Sequence, residues 1–228
     1  MERPFDIQIE KLKTKIIKMC SIVDEQIGHS IDSIIKTDKT LADLVIEVEE
    51  KVDKFDVKIE RICQKLFALN QPVAMDLRLI MSGLKINSNL ERMGDLAVNI
   101  AKGAKDLNAY PEFMNRLHFS EISQIAREMI KKSFDSFINR DTELAKNVIA
   151  SDTKLDELVR EDSKILAEIM KENSVNVENA LIIHSVLQEI ERLGDHAANI
   201  AEEVYFILKA QSLKHKDDQE LEDSWNIE

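Results

Sequence analysis

The amino-acid sequence predicts an all-α fold of six long helices, built as two tandem antiparallel three-helix bundles that are related by an internal repeat. The composition favours long helices, because the 228 residues include only 5 Gly and 3 Pro, and 5% are aromatic. Apolar residues recur at helical spacing, as in Ile16, Cys20, Val23, Ile27 and Ile31. The two halves of the chain also resemble each other, which indicates two copies of one helical unit.

The repeat is clearest in two stretches that lie 100 residues apart. "LERMGDLAVNIA" begins at Leu90, and "IERLGDHAANIA" begins at Ile190. Upstream, the stretch from Ser30 matches the stretch from Ser133, which is an offset of 103. A change in the length of one helix–helix turn accounts for the difference between the offsets.

Each half is predicted to contain three helices joined by short turns. The first helix ends at "TDKT" and the second at "NQP", where Pro72 suits the first turn of the third helix. "NAYPEFM" separates the halves, because the residue before Pro111 is disfavoured in helical geometry. The predicted helices span residues 8–36, 41–69, 73–107, 119–139, 142–172 and 177–211. The predicted domains are residues 1–109 and 110–212, and residues 213–228 form a charged tail.

Charge and hydropathy exclude several classes of protein. The formal net charge of −12 argues against a nucleic-acid partner, because phosphate binding needs clustered Lys and Arg. No apolar run approaches the length that spans a bilayer, and the first residues lack a signal-peptide pattern, so we expect a cytoplasmic protein. Cys20 and Cys63 fall at apolar helical positions, and we expect both thiols to be buried, reduced and structural.

Acidic residues form rows on two helices of each predicted bundle. On the third helix, Glu91, Asp95 and Asn99 lie opposite the apolar arc, and the sixth helix repeats them as Glu191, Asp195 and Asn199. A second row flanks the apolar stripe of the preceding helix: Glu49, Asp53, Asp56 and Glu60 in the second helix, and Asp152 and Asp156 in the fifth. Like charges four residues apart repel by a few tenths of a kcal/mol. A hard cation held between the two helices would remove that repulsion, and oxygen ligands suit Mg, Ca, Mn or ferric iron. The alternative is that the rows are only solvated.

Two other residue types accompany the acidic rows. Arg92 and Arg192 form either surface salt bridges or clamps that hold a carboxylate in place. His196 replaces Leu96 of the first copy, and it is either a ligand in the second site alone or a partly buried structural residue.

Enzyme motifs do not appear. No histidine has the Glu-x-x-His spacing of ferritin-like di-iron proteins. The chain also lacks a Gly-rich phosphate loop and a Gly-x-Ser-x-Gly elbow. We therefore expect a protein without catalytic residues.

Two stretches carry a resemblance to a known family. "FALNQPVAMDLRLIMSGLKINSNLERMGDLAVNIA" and its counterpart "VLQEIERLGDHAANIAEEVYF" resemble the PhoU family, and the resemblance extends over about residues 12–210. It implies two similar three-helix bundles, a homodimer and no enzymatic activity. It implies negative regulation of phosphate uptake and phosphate-starvation signalling. The implied partners are the ATPase subunit of the phosphate ABC transporter and the cytoplasmic portion of the sensor histidine kinase, so that the protein meets the membrane only through partners.

The resemblance also implies metal ions, in some members as multinuclear clusters on the bundle surface. Carried over to this sequence, the ligands are Glu49, Asp53, Glu91 and Asp95 in the first half, and Asp152, Asp156, Glu191 and Asp195 in the second. Asn99, Asn199, Asp56 and His196 are secondary candidates. The metal is left open among Fe, Zn, Mg, Mn and Ca. Leu96 stands where the family motif often has His, so the two sites are expected to differ. Two alternative functions stay open: a metal-binding or metal-storing bundle, and a structural scaffold, each without a signalling role.

Overall fold

The computed structural model describes residues 4–69, 71–211 and 213, and this part of the chain folds into six long α-helices. They are α1 Pro4–Lys36, α2 Lys39–Leu69, α3 Ala74–Asp106, α4 Phe119–Asn139, α5 Thr142–Glu172 and α6 Val177–Lys209. Short 3-10 turns at Glu112–Arg116 and Ser174–Asn176 precede α4 and α6. The helices α1–α3 pack into one bundle and α4–α6 into a second, which confirms the predicted fold class.

The two bundles share a continuous hydrophobic core. Helices α3 and α6 pack against each other at the centre of the molecule, and α1 also touches α4. Both cysteines are free and buried, as predicted. The predicted apolar arc of α3 is confirmed, because all of its members are buried: Leu90, Met93, Leu96, Ala97, Ile100, Ala101 and Ala104.

The internal repeat also appears in the turns between helices. Asp38 precedes α2, and its carboxylate accepts hydrogen bonds from the backbone N–H groups of Thr40 at 2.9 Å and Leu41 at 3.2 Å. Asp141 caps α5 in the same way, with acceptor distances of 2.8 and 3.1 Å. Such caps satisfy backbone donors that have no partner inside the helix. The caps fix where α2 and α5 begin, and these helices carry the acidic rows that flank the apolar stripes.

Five predicted helix boundaries differ from the observed ones, by one to four residues. Pro72 lies before α3 and not in its first turn, because Val73 is the extended N-cap residue. Helix α1 begins at Pro4, four residues earlier than predicted. Helix α6 ends at Lys209, because Ala210 has a left-handed backbone with φ 57°. Of the predicted charged tail, residues 214–228 lie outside the described residues.

The connection between the bundles is anchored by a buried carboxylate. Asp162 of α5 is fully buried, and it accepts hydrogen bonds from the backbone N–H of His118 at 2.9 and 3.0 Å. The His118 Nδ1 lies 2.8 Å from the same carboxylate. This hydrogen bond raises the pKa of His118 above its ordinary value of 6.5. The start of α4 is therefore held by a contact that strengthens when His118 is protonated.

We expect His118 to make the stability of the protein depend on pH. Since its pKa is higher in the folded state, its contribution is fully present below 6.5 and is lost as pH rises through the raised value. Melting temperatures between about pH 6 and pH 9 should therefore fall more steeply for the wild type than for His118→Ala. Equal slopes for the two proteins would contradict this interpretation of the contact.

Candidate metal sites at the paired acidic helices

The glycine of each repeated motif brings the preceding helix close to the motif helix. A Cβ added at Gly94 would lie 3.2 Å from the Val52 side chain and 3.3 Å from Oε2 of Glu49. A Cβ added at Gly194 would overlap the Leu155 side chain and lie 3.5 Å from Oδ1 of Asp152. A residue without a Cβ at these positions therefore lets the second or fifth helix pack closely against the motif helix.

In the second bundle, three carboxylates converge. Asp152 and Asp156 of α5 and Asp195 of α6 each offer one oxygen atom, and these three oxygens lie within 4.8 Å of one another. Oxygen ligands lie about 2.0–2.6 Å from Mg²⁺ or Ca²⁺, so two ligands of one ion are at most about 5 Å apart. Among the His, Cys, Asp and Glu residues that the structure describes, no other group of three meets this distance.

The charges of this cluster are poorly balanced. Burial, followed by the nearby negative charges of Asp156, Asp195 and Glu191, raises the pKa of Asp152 to about 6. The pKa values of Glu191 and Asp195 are raised as well, by burial first and then by Asp156. Within the described part of the chain, Oδ1 of Asp152 and Oδ1 of Asp156 are buried and have no hydrogen-bond partner. A bound cation would supply both the missing partner and the missing positive charge, so these residues fit a metal ion.

In the first bundle, the four predicted ligands also share one electrostatic environment. Burial raises the pKa of Glu49, and the negative charges of Asp95, Asp53 and Glu91 raise it further. Burial and then Asp95 raise the pKa of Glu91. Oε1 of Glu49 is buried and has no hydrogen-bond partner among the described residues. The four acids are therefore neighbours. No three of them place ligand oxygens within 4.8 Å of one another, as the three aspartates of the second bundle do.

A residue of α1 explains part of the difference between the two sites. The buried Gln26 donates a hydrogen bond of 2.8 Å to Oε2 of Glu49, and another of 3.1 Å to the carbonyl of Val45. This hydrogen bond opposes the upward shift of the Glu49 pKa. The repeat offset of 103 aligns Gln26 with Met129, which has no donor to offer Asp152. The sequence interpretation missed Gln26, although this comparison of the two halves could have found it.

Three of the four secondary candidates are engaged elsewhere. Asn87 donates to Asp56 at 2.5 Å, His196 Nδ1 lies 2.8 Å from Oδ1 of Asn89, and Asn99 donates to Glu189 at 3.5 Å. His196 is partly buried, and its pKa is lowered by burial and by Arg192 and Arg92. These contacts favour the structural interpretation of His196. Asn199 is half-buried, and no hydrogen bond to the acidic cluster is described for its side chain.

The two arginines beside the motifs form surface contacts. Arg92 lies 3.7 Å from the carboxylate of Glu91, whereas Arg192 lies 3.4 Å from Glu189 and not against its motif neighbour Glu191. Both arginines are exposed. Exposed pairs of this kind contribute less than about 1 kcal/mol, which favours the salt-bridge interpretation over a clamp.

No helix among the described residues combines the length and the apolar character that crossing a bilayer requires.

Comparison with known proteins places two copies of one domain on this chain. A family model described as "PhoU domain" matches residues 16–104 and 119–204. A phosphate-specific transport system accessory protein PhoU homolog of Aquifex aeolicus is 38% identical over 209 residues, covering 92% of this chain and 95% of that protein. The homolog from Xylella fastidiosa (strain Temecula1 / ATCC 700964) is 31% identical over 211 residues, covering 92% and 88%.

Solved structures agree with this match. The crystal structure of PhoU from Pseudomonas aeruginosa has a TM-score of 0.87 and 29% sequence identity, and it covers 91% of this chain and 100% of that one. The phosphate transport system regulatory protein PhoU from Streptococcus pneumoniae has a TM-score of 0.84 at 24% identity, covering 92% and 100%. The second structure is evidence for the fold alone.

Proposed function

The chain belongs to the PhoU family, and from this premise we propose that it is a negative regulator of phosphate uptake and of phosphate-starvation signalling. The observation that carries the proposal is the double match to the PhoU domain, which spans residues 16–104 and 119–204. Curated relatives with this domain are named phosphate-specific transport system accessory proteins, and they match over nearly their whole length.

The protein would act by binding other proteins and not by catalysis. We propose that it is a cytoplasmic homodimer that connects the ATPase subunit of the phosphate ABC transporter with the cytoplasmic portion of the sensor histidine kinase. It would reach the membrane only through these partners. The net charge of −12 suits basic surfaces on such partners and argues against a nucleic acid.

Metal binding is the second part of the proposal. Asp152, Asp156 and Asp195 would hold a hard cation in the second bundle, with Glu191 beside them. Glu49, Asp53, Glu91 and Asp95 would form the weaker site of the first bundle, because Gln26 already donates a hydrogen bond that stabilises the Glu49 carboxylate there. The bound ion would supply positive charge, which holds α5 against α6 and α2 against α3.

Deletion of the gene tests the regulatory role. We expect alkaline phosphatase to be produced at high phosphate in the deletion strain and to be repressed again when the wild-type gene is returned. A pull-down against the transporter ATPase and against the cytoplasmic part of the kinase identifies which of the proposed contacts exists. Unchanged phosphatase in the deletion strain would exclude the regulatory role.

The deletion strain also distinguishes a regulatory protein from a metal-storage protein. A gene that encodes Asp152→Asn, Asp156→Asn and Asp195→Asn together should restore repression poorly if the cation supports partner binding. Full repression by this variant would show that regulation does not need the second site. A storage protein without a signalling role predicts that phosphatase stays repressed in every strain, while cellular metal content falls in the deletion strain.

A further inference from the structure

A groove lies where the two bundles meet, on a part of the surface that is separate from the acidic sites. Its volume is about 480 Å³, which is within the range of about 300–1,000 Å³ that is typical of binding pockets. The first part of α1, the start of α3 and the ends of α4 and α6 form its walls. The apolar lining includes Ile17, Met75, Leu79, Ile138, Ile207 and Leu208.

Exposed apolar side chains continue beyond the groove. Within it, Met75 is 59% exposed and Ile138 is 45% exposed. Leu69 at the end of α2 and the N-cap residue Val73 lie just before the start of α3 in the chain, and they are 73% and 68% exposed. Single exposed apolar residues are normal on a protein surface, whereas a cluster of them marks a surface that another molecule covers. The groove and the turn before α3 together form one candidate contact surface, the groove face.

Four charged residues line the groove, and their formal charges cancel. Glu10 and Asp76 are acidic, and Lys13 and Arg140 are basic. The Lys13 Nζ lies 2.7 Å from Oε1 of Glu10, so these two residues pair with each other on α1. Within the part of the chain that the structure describes, Asp76 and Arg140 make no ion pair. The groove therefore presents one acid and one base that a bound molecule can pair.

A second copy of this chain can pair both groups at once. In a two-fold contact, when one residue meets a second residue of the other copy, that second residue also meets the first. Asp76 of each copy would therefore face Arg140 of the other. The net charge of −12 makes two copies repel each other over most of their surface, whereas the charges of the groove sum to zero. The same neutrality offers a basic or an acidic partner no electrostatic advantage at this place.

We propose that the groove face is the surface through which two copies of the chain associate about a two-fold axis, with Asp76 and Arg140 paired reciprocally across it. This inference rests on the homodimer of the proposed function and names its contact surface. A stable interface covers about 800 Å² on each partner, so the contact extends from the groove onto Leu69 and Val73. The apolar residues supply affinity, and the two ion pairs fix the orientation of the copies.

Charge reversal of the two residues tests the reciprocal pairing. In sedimentation velocity of the full-length chain, we expect a wild-type dimer. Asp76→Arg places Arg against Arg at both contacts, and Arg140→Asp places Asp against Asp. Each change should raise the dimer dissociation constant by at least about 100-fold. Asp suits position 140, because Asp tolerates the left-handed backbone there, with φ 56°.

A mixture of the two variants gives the decisive result. An equimolar mixture of Asp76→Arg and Arg140→Asp should form a heterodimer with an affinity near that of the wild type, because both contacts again join opposite charges. The double variant should form a homodimer for the same reason. A pair formed between Asp76 and Arg140 of one chain cannot produce association in the mixture.

Apolar variants test the groove itself. Ile138→Glu and Met75→Glu, on different helices, should each make the protein monomeric at concentrations where the wild type is dimeric. Leu181→Glu is the matched control and should stay dimeric, because Leu181 is 54% exposed and does not line the groove. Far-UV circular dichroism of each variant confirms that the bundles remain folded.

Three results would overturn the proposal. A monomeric wild type would also remove the homodimer from the proposed function, and the phosphatase test of regulation would stand apart from it. A dimer that all the charge and apolar variants preserve would place the interface elsewhere and leave the homodimer intact. A mixture of the two charge variants that stays monomeric would exclude the reciprocal pairing.

Discussion

Asp152→Asn is expected to stabilise the metal-free protein at neutral pH and to reduce the stabilisation that an added divalent cation provides. In the metal-free wild type, ionisation of Asp152 is unfavourable, because its pKa is raised from 3.8 to about 6. Removing the charge should increase the free energy of unfolding by about 1 kcal/mol at pH 7.5, after allowance for the solvent exposure of this half-buried group. Thermal denaturation in the presence of a chelator measures this gain.

The pH dependence of that gain follows from the direction of the shift. A carboxyl whose pKa is higher in the folded state is protonated in both states below 3.8, where Asp and Asn should be equivalent. The destabilisation appears as pH rises from 3.8 and is complete above about 6. The gain from Asp152→Asn should therefore vanish near pH 4 and be constant above about pH 7.

Glu49→Gln is the matched control in the first bundle. Gln26 already donates a hydrogen bond to Glu49, so the control should gain less stability than Asp152→Asn. Addition of Mn²⁺ should raise the melting temperature of the wild type and raise that of Asp152→Asn much less. A variant that is less stable than the wild type in chelator, or equally stabilised by Mn²⁺, would contradict the cluster as described.

Gly194→Ala is expected to destabilise the protein by about 1–2 kcal/mol and to weaken metal binding. The added Cβ would overlap the buried Leu155 side chain, and overpacking of a core costs about 1–3 kcal/mol. The better helix propensity of Ala offsets up to about 1 kcal/mol of that cost. Relief of the overlap displaces the buried Leu155 side chain and, with it, strains the packing of α5, which carries Asp152 and Asp156. Chemical denaturation and Mn²⁺ titration measure the two effects.

Two other glycines of the chain provide controls. At Gly94, the nearest atoms to an added Cβ are 3.2–3.3 Å away, so Gly94→Ala should be close to neutral. A Cβ added at Gly28 would have no described atom within 4 Å outside its own stretch of helix, so Gly28→Ala should show the propensity gain alone. A Gly194→Ala protein as stable as Gly28→Ala would show that α5 does not pack against the motif as closely as described.

The fold was predictable because its signals are local and repeated. Apolar spacing located all six helices, and the few breakers marked the turns. Two of the boundaries that differ depend on single backbone conformations. The left-handed Ala210 is neither Gly nor Asn, and the N-cap residue Val73 is not Ser, Thr, Asp or Asn, so neither carries a distinctive sequence signal.

The acidic pairs on each helix were predictable from the sequence. Which pairs from different helices meet in space was not. Helical geometry places Glu191 and Asp195 on one polar face, but it does not say which oxygens of α5 approach them. The structure brings Asp152, Asp156 and Asp195 within 4.8 Å, and leaves the first-bundle acids more widely spaced. That difference depends on contacts between distant segments, such as Gln26 of α1 with Glu49 of α2. The pairing of His118 with Asp162 is also non-local, so no sequence pattern predicts it.

We propose that the repeated acidic pairs hold a cation. Isothermal titration of Mn²⁺ into tag-free, chelator-treated protein tests it most directly, with the variant Asp152→Asn, Asp156→Asn, Asp195→Asn as the comparison. We predict saturable binding to the wild type and a loss of affinity of at least about 100-fold in the variant, whose circular dichroism stays helical. Identical binding curves for the two proteins, or no binding to the wild type, would contradict the account.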